Sequence, residues 1–184
     1  MEQIKEILES GSSEEKIKIL ESLESTDDSK IINKMISCLD DVDIKVRGEA
    51  FSSLILNKKE ISNFLIRSLK DSRKNIRGFV TLVLANRNDT NAISAIIPLV
   101  KDERSMVRSC ALGALGHLKA KEAKDTIHSC IFDSNLEVKK SALQAMINLE
   151  ERISKKEISE ILKEQDSELE YLVIKLKKSG PEGI

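Results

Sequence analysis

The chain has 184 residues, 40% apolar and 33% charged, which is enough aliphatic content for one core and far too many charges for a membrane-embedded protein. Seven Gly, two Pro and 3% aromatic residues with no Trp exclude turn-rich sandwiches and barrels, and the abundance of Ile and Leu excludes disorder. The net charge of −1 is uneven: residues 61–124 carry 12 Lys/Arg against 5 Asp/Glu, while 1–60 and 125–184 stand at −5 and −3.

The chain opens Met1-Glu2-Gln3-Ile4-Lys5-Glu6, amphipathic and charged, so no apolar signal segment is expected there. Ile4, Ile7 and Leu8, then Ile17, Ile19, Leu20 and Leu23, mark a pair of helices within residues 1–26. From residue 27 to 152 the pattern becomes a repeat. Leu39-Asp40-Asp41-Val42-Asp43-Ile44-Lys45-Val46-Arg47 aligns without gaps with the segments ending at Arg77, Arg108 and Lys139. Each reads apolar, any residue, Asp, four variable residues, β-branched, cation; the cations stand at 47, 77, 108 and 139, at intervals of 30, 31 and 31. After each cation, small or apolar residues recur at helical steps, as in Val46, Ala50, Ser53, Leu54 and Val107, Ala111, Ala114, Leu115. Before each Asp runs another helical stripe, such as Ile31, Ile32, Met35, Ile36, Leu39.

Residues 153–178 carry a weaker pair, Ile158, Ile161, Leu162 and then Leu169, Val173, Leu176, and residues 179–184 cannot continue a helix and are expected to fray. Both end pairs are rich in Glu and Lys, as capping repeats with one stacking neighbour require. The longest uncharged run, Thr90 to Val100, falls short of the ~18 apolar residues a membrane span needs. Cys38, Cys110 and Cys130 lie among apolar helical neighbours without CxxC spacing and read as reduced structural thiols of a cytoplasmic protein. The expectation is a single all-α domain over 1–184: a superhelical α-solenoid of about six helical hairpins with a period near 31 residues.

The Asp-x4-Val-Arg element followed by an Ala/Leu-rich helix resembles the HEAT repeat, and Asp102-Glu103-Arg104-Ser105-Met106-Val107-Arg108-Ser109-Cys110-Ala111-Leu112-Gly113-Ala114-Leu115-Gly116 is similar to the short phycobilin-lyase type. The resemblance implies that Asp41, Asp71, Asp102 and Asp133 pair with Arg47, Arg77, Arg108 and Lys139 in a ladder between successive repeats. Lys139 would weaken the last rung, because Lys lacks the bidentate fork. The Asp residues are expected at or just before the second helix, accepting backbone N–H groups. A competing reading makes the same cations a row of anion sites.

Enzyme signatures are sparse. The sequence shows no Gly-rich phosphate loop, no HExxH, no His-Glu dipeptide and no metal-ligand spacing around His117 and His128, so no cofactor or metal is expected. The leading expectation is a non-catalytic scaffold or adaptor whose concave second-helix face binds a helix or extended segment of another protein. Phe79, Leu82, Met106, His117, Gln144 and Asn148 fall on the outward helical face, and Phe79, Leu82 and Met106 are apolar where a solvated face would be polar. One alternative is nucleic-acid binding through Arg67, Lys70, Arg73, Lys74 and Arg104 in the basic middle third, against which stand neutrality overall and few aromatics for stacking. A second alternative is a degenerate phycobilin-lyase-like enzyme or a chaperone-like relative of one. Burial of Phe79 and Leu82 in the core stays open at this point.

Overall fold

A computed structural model describes residues 2–178; the tail expected to fray, 179–184, lies outside the described residues. The fold is an all-α solenoid, with no strand among the described residues. The chain divides into two compact units, Met1–Ala92 and Ile93–Ile184, each built of three helical hairpins.

In the first unit the hairpins are α1 (Glu2–Ser10) with α2 (Ser13–Glu21), α3 (Ser29–Ser37) with α4 (Ile44–Leu56), and α5 (Ser62–Ser68) with α6 (Lys74–Asn86). The first helices α1, α3 and α5 pack side by side in one layer, and α2, α4 and α6 in a second. Between the layers the periodic positions are sealed: Ile32, Met35, Leu39, Val46, Ala50, Leu54, Leu65, Ile76 and Val80 are all fully buried. Short helices survive here because their ends are capped. Ser12 and Glu15 form a capping box, and Asp28 and Asp43 accept from the N–H groups of Lys30 and Lys45.

The second unit comprises α7 (Ile93–Ile96) with α8 (Ser105–His117), α9 (Lys124–His128) with α10 (Leu136–Asn148), and α11 (Lys155–Ile161) with α12 (Ser167–Lys178). Its first helices are stubs that close in 3-10 turns at Ile97–Lys101, Ser129–Phe132 and Leu162–Glu164, the first of which begins around Pro98, whose missing N–H cannot extend α7. α8 and α10 pack most intimately. A Cβ built on Gly116 would meet Ala145 Cα at 2.7 Å, so only glycine permits this approach.

The second helices of the later repeats end alike. Asn88, Lys119 and Glu150 take left-handed φ values of 54, 51 and 59°, and the next N–H reaches back to Leu84, Leu115 and Met146 at 3.0 Å, closing a Schellman motif without glycine. α4 ends otherwise. Its C-cap Asn57 is not left-handed (φ −59°, ψ 123°), and Arg87 covers the exposed carbonyls instead, donating to Leu54 (3.0 Å), Ile55 (3.2 Å), Asn57 (2.7 Å) and Lys59 (3.0 Å). Asn57 in turn serves the segment after α2, donating to Leu23 and Thr26 carbonyls at 3.3 and 3.0 Å. Cys38, Cys110 and Cys130 are free, and burial pushes the thiols of Cys38 and Cys110 up to about 11.

Candidate partner-binding surface

The four central repeats turn between their helices through one device. The Oδ1 atoms of Asp41, Asp71, Asp102 and Asp133 accept from the N–H two residues on, at 2.8–2.9 Å. These aspartates shape the turn just before the second helix, and the N-cap positions two residues on are Asp43, Arg73, Arg104 and Asn135. The cation six residues later folds back on the same turn: Arg47, Arg77 and Arg108 donate to the carbonyls of Asp41, Asp71 and Asp102 at 2.7, 2.9 and 2.9 Å.

Between repeats the expected pairs form unevenly. Arg108 grips Asp133 through Nε and Nη2, both at 2.8 Å, and Lys139 binds Glu164, not an aspartate. Burial pushes the Asp133 carboxyl up, but its bonds to Arg108 and to the Asn135 N–H outweigh that and hold it below the usual range. Lys16 pairs with Asp41 at 2.7 Å; this N-terminal rung escaped the sequence analysis, although Lys16 stands one repeat before Arg47. The Arg47–Asp71 rung is absent from the hydrogen bonds of Arg47, because Arg73 holds both Asp71 oxygens at 2.9 Å.

The basic residues are dispersed by such bonds. Arg67 lies exposed over the Phe64 ring at 5.0 Å and donates to the Asn63 carbonyl; with Lys70 it lines a polar groove of about 490 Å³ along α3 and α5. Arg73 is paired with Asp71, Lys74 is exposed at the start of α6, and Arg104 bonds Glu103 at 3.2 Å.

On the second-helix layer of the first unit an apolar groove of about 400 Å³ opens, lined by Ile44, Arg47, Gly48, Phe51, Phe79 and Leu82. Phe51 on α4 meets Phe79 on α6 edge to face, with centroids 6.5 Å apart and planes at 70°. Phe79 and Leu82 are half-buried: their inner sides touch the fold and their outer sides form the wall. Ile44 is 72% exposed and the adjacent Val42 fully so. A Cβ on Gly48 would meet nothing within 4 Å, so the floor of the groove there is open. Ile44, Gly48 and Phe51 are not among the residues that the sequence singles out; they occupy the flank of α4 turned toward α6, at steps of four and three.

In the second unit Met106 is half-buried on α8, with Cys110 Sγ 3.7 Å from its sulfur, beside a smaller groove of about 310 Å³ that Asn135 and Glu137 also line. His117 is exposed at the end of α8, and Gln144 donates to Asn148 at 2.9 Å along α10. No helix among the described residues is long and apolar enough to cross a membrane, and no three His, Cys, Asp or Glu side chains among them cluster to hold a metal.

No curated protein sequence matches the chain. Residues 62–147 match the family profile of HEAT repeats. Among solved structures, the complex of CpcE and CpcF of phycocyanin lyase from Nostoc sp. PCC7120 is similar at a TM-score of 0.68 and 17% identity, covering 82% of this chain and 99% of that one. An engineered protein is similar at 0.64 and 17%, covering 97% of each chain. A designed armadillo repeat protein solved with the peptide (KR)4 is similar at 0.63 and 15%, covering 97% of this chain and 98% of that one. Identities this low speak for the fold alone. The central repeats, 62–147, match the HEAT-repeat profile, and the paired helices are laid out as in these α-solenoids.

Proposed function

We propose that the chain is a non-catalytic scaffold that binds an apolar segment of another protein in the groove between α4 and α6. The observation that carries this is an apolar wall of Ile44, Phe51, Phe79 and Leu82 left open as a groove on the second-helix layer of the first unit. Completing the burial of half-buried Phe79 and Leu82 contributes about 1.5–3 kcal/mol before ordering costs, and covering exposed Ile44 adds to it. The designed armadillo neighbour, seen with a peptide, and the paired CpcE and CpcF chains support the use of such solenoids for holding other polypeptides. Nucleic-acid binding gains less support, because Arg73, Arg87 and Arg108 of the basic middle third are engaged in internal hydrogen bonds.

The test is selection from a displayed library of random 16-residue peptides on the immobilised protein. Recovered peptides are expected to lose binding to Phe79→Asp and Leu82→Lys variants that retain helical circular dichroism. Peptides that bind both variants like the original protein place the site elsewhere.

A further inference from the structure

We infer that Arg47 recognises a carboxylate on the docked segment, so that the partner of this groove is an acidic-apolar segment with an Asp or Glu beside its apolar anchors. This rests on the groove reading above and adds the charge of the occupant. Lys16, Arg108 and Lys139 each reach a carboxylate 25 residues further on, at Asp41, Asp133 and Glu164. Arg47 occupies the same register position, but its counterpart Asp71 stands 24 residues on and is held in a fork by Arg73.

Arg47 therefore lies along the groove beside Ile44, Gly48 and Phe51. Its Nη1 is bound to the carbonyls of Asp41 and Val42 at 2.7 and 3.2 Å, and among the described residues its Nε and Nη2 make no hydrogen bond. The carboxylate that feels its charge, Asp43, already accepts the Lys45 N–H at 2.8 Å and a bond from Ser13. Glu49, the other nearby acid of α4, accepts from Ser53 at 3.1 Å. Exposed Lys45 and Lys74 add positive charge at the first turns of α4 and α6. A guanidinium fixed on one side by two carbonyls, with its remaining donors at an apolar wall, is set up for charge-assisted bonds to a carboxylate and disfavours a basic occupant.

The same displayed library tests this when groove-dependent peptides are defined as those lost on Gly48→Gln, which places a side chain in the groove and keeps the Arg47 guanidinium. These peptides are expected to carry Asp or Glu next to an apolar pair, and Glu→Gln in a synthetic copy should weaken binding about tenfold. Against Arg47→Gln the same peptide change should cost less than about twofold, because the partner charge is gone. Raising the salt should weaken the Glu peptide more than its Gln copy, a readout that leaves the protein unaltered. Groove-dependent peptides without acidic enrichment, or an equal Glu→Gln penalty on both proteins, overturn the role of Arg47 and leave the groove intact. Failure to recover any groove-dependent peptide overturns both readings.

Discussion

Gly48 separates stability from binding. It sits in the interior of α4, where glycine costs roughly 0.5–1 kcal/mol relative to alanine, and a Cβ there meets nothing within 4 Å. Gly48→Ala should therefore raise stability by about that amount, or about 1–4 °C in Tm for a chain of this length. Gly48→Gln keeps most of the gain in helix propensity and projects a side chain into the 400 Å³ groove between Phe51 and Phe79. Thermal unfolding by circular dichroism and fluorescence anisotropy with a selected peptide read the two effects. The expected result is a higher Tm for both variants, near-normal affinity for Ala and at least a tenfold loss for Gln. A lower Tm for Gly48→Ala would show that the floor is not open; a Gln variant that is stable and binds normally would show that no occupant uses the groove.

Gly116→Ala should act in the opposite direction, losing roughly 1–3 kcal/mol in a urea titration, because its Cβ would collide with the Ala145 backbone. Arg87→Ala should cost about 2–4 kcal/mol by the same measurement, since four carbonyls at and just after the C-terminus of α4 lose a charged donor, and Arg87→Lys should recover only part of this. Acid should destabilise the fold. Asp28, Asp41, Asp71, Asp133 and Asp166 all have lowered carboxyl pKa values, so their contribution is present above the unfolded value near 3.8 and is lost as pH falls through the folded ones. Urea midpoints should hold from pH 7 to 5 and fall below about pH 4, with a smaller fall for Asp133→Asn; unchanged stability between pH 5 and 3 would contradict the assignment.

The repeat was legible because burial imposes a period: residues 46, 50, 53 and 54 and their counterparts all face the core, and sequence alone places them. Helix ends were less legible. Nothing in Lys119 or Glu150 announces a left-handed residue, since the conformation is imposed by closure of the preceding helix against local preference. Arg87 read as one more cation of a basic stretch, and its role depends on carbonyls some thirty residues earlier that only folding brings within reach. Phe79 and Leu82 were identified as outward positions, but their groove depends equally on Ile44, Gly48 and Phe51. Which flank of α4 faces α6 follows from interhelical packing, not from the period of either helix.

The interval of 30 residues between Arg47 and Arg77, one short of its successors, falls where two irregularities of the first unit meet. α4 ends without the left-handed residue that closes α6, so its carbonyls need the guanidinium of Arg87. In the turn between α5 and α6, Asp71 pairs with Arg73 and leaves Arg47 outside the pairing made by Lys16, Arg108 and Lys139. A regular repeat would satisfy both groups internally and present a uniform face. Here one irregularity is repaired by Arg87, while the other leaves guanidinium donors beside Phe51 and Ile44. In a solenoid whose neighbours are interchangeable by construction, such a departure from the period is what distinguishes one stretch of surface from the rest, and it lies at the apolar groove.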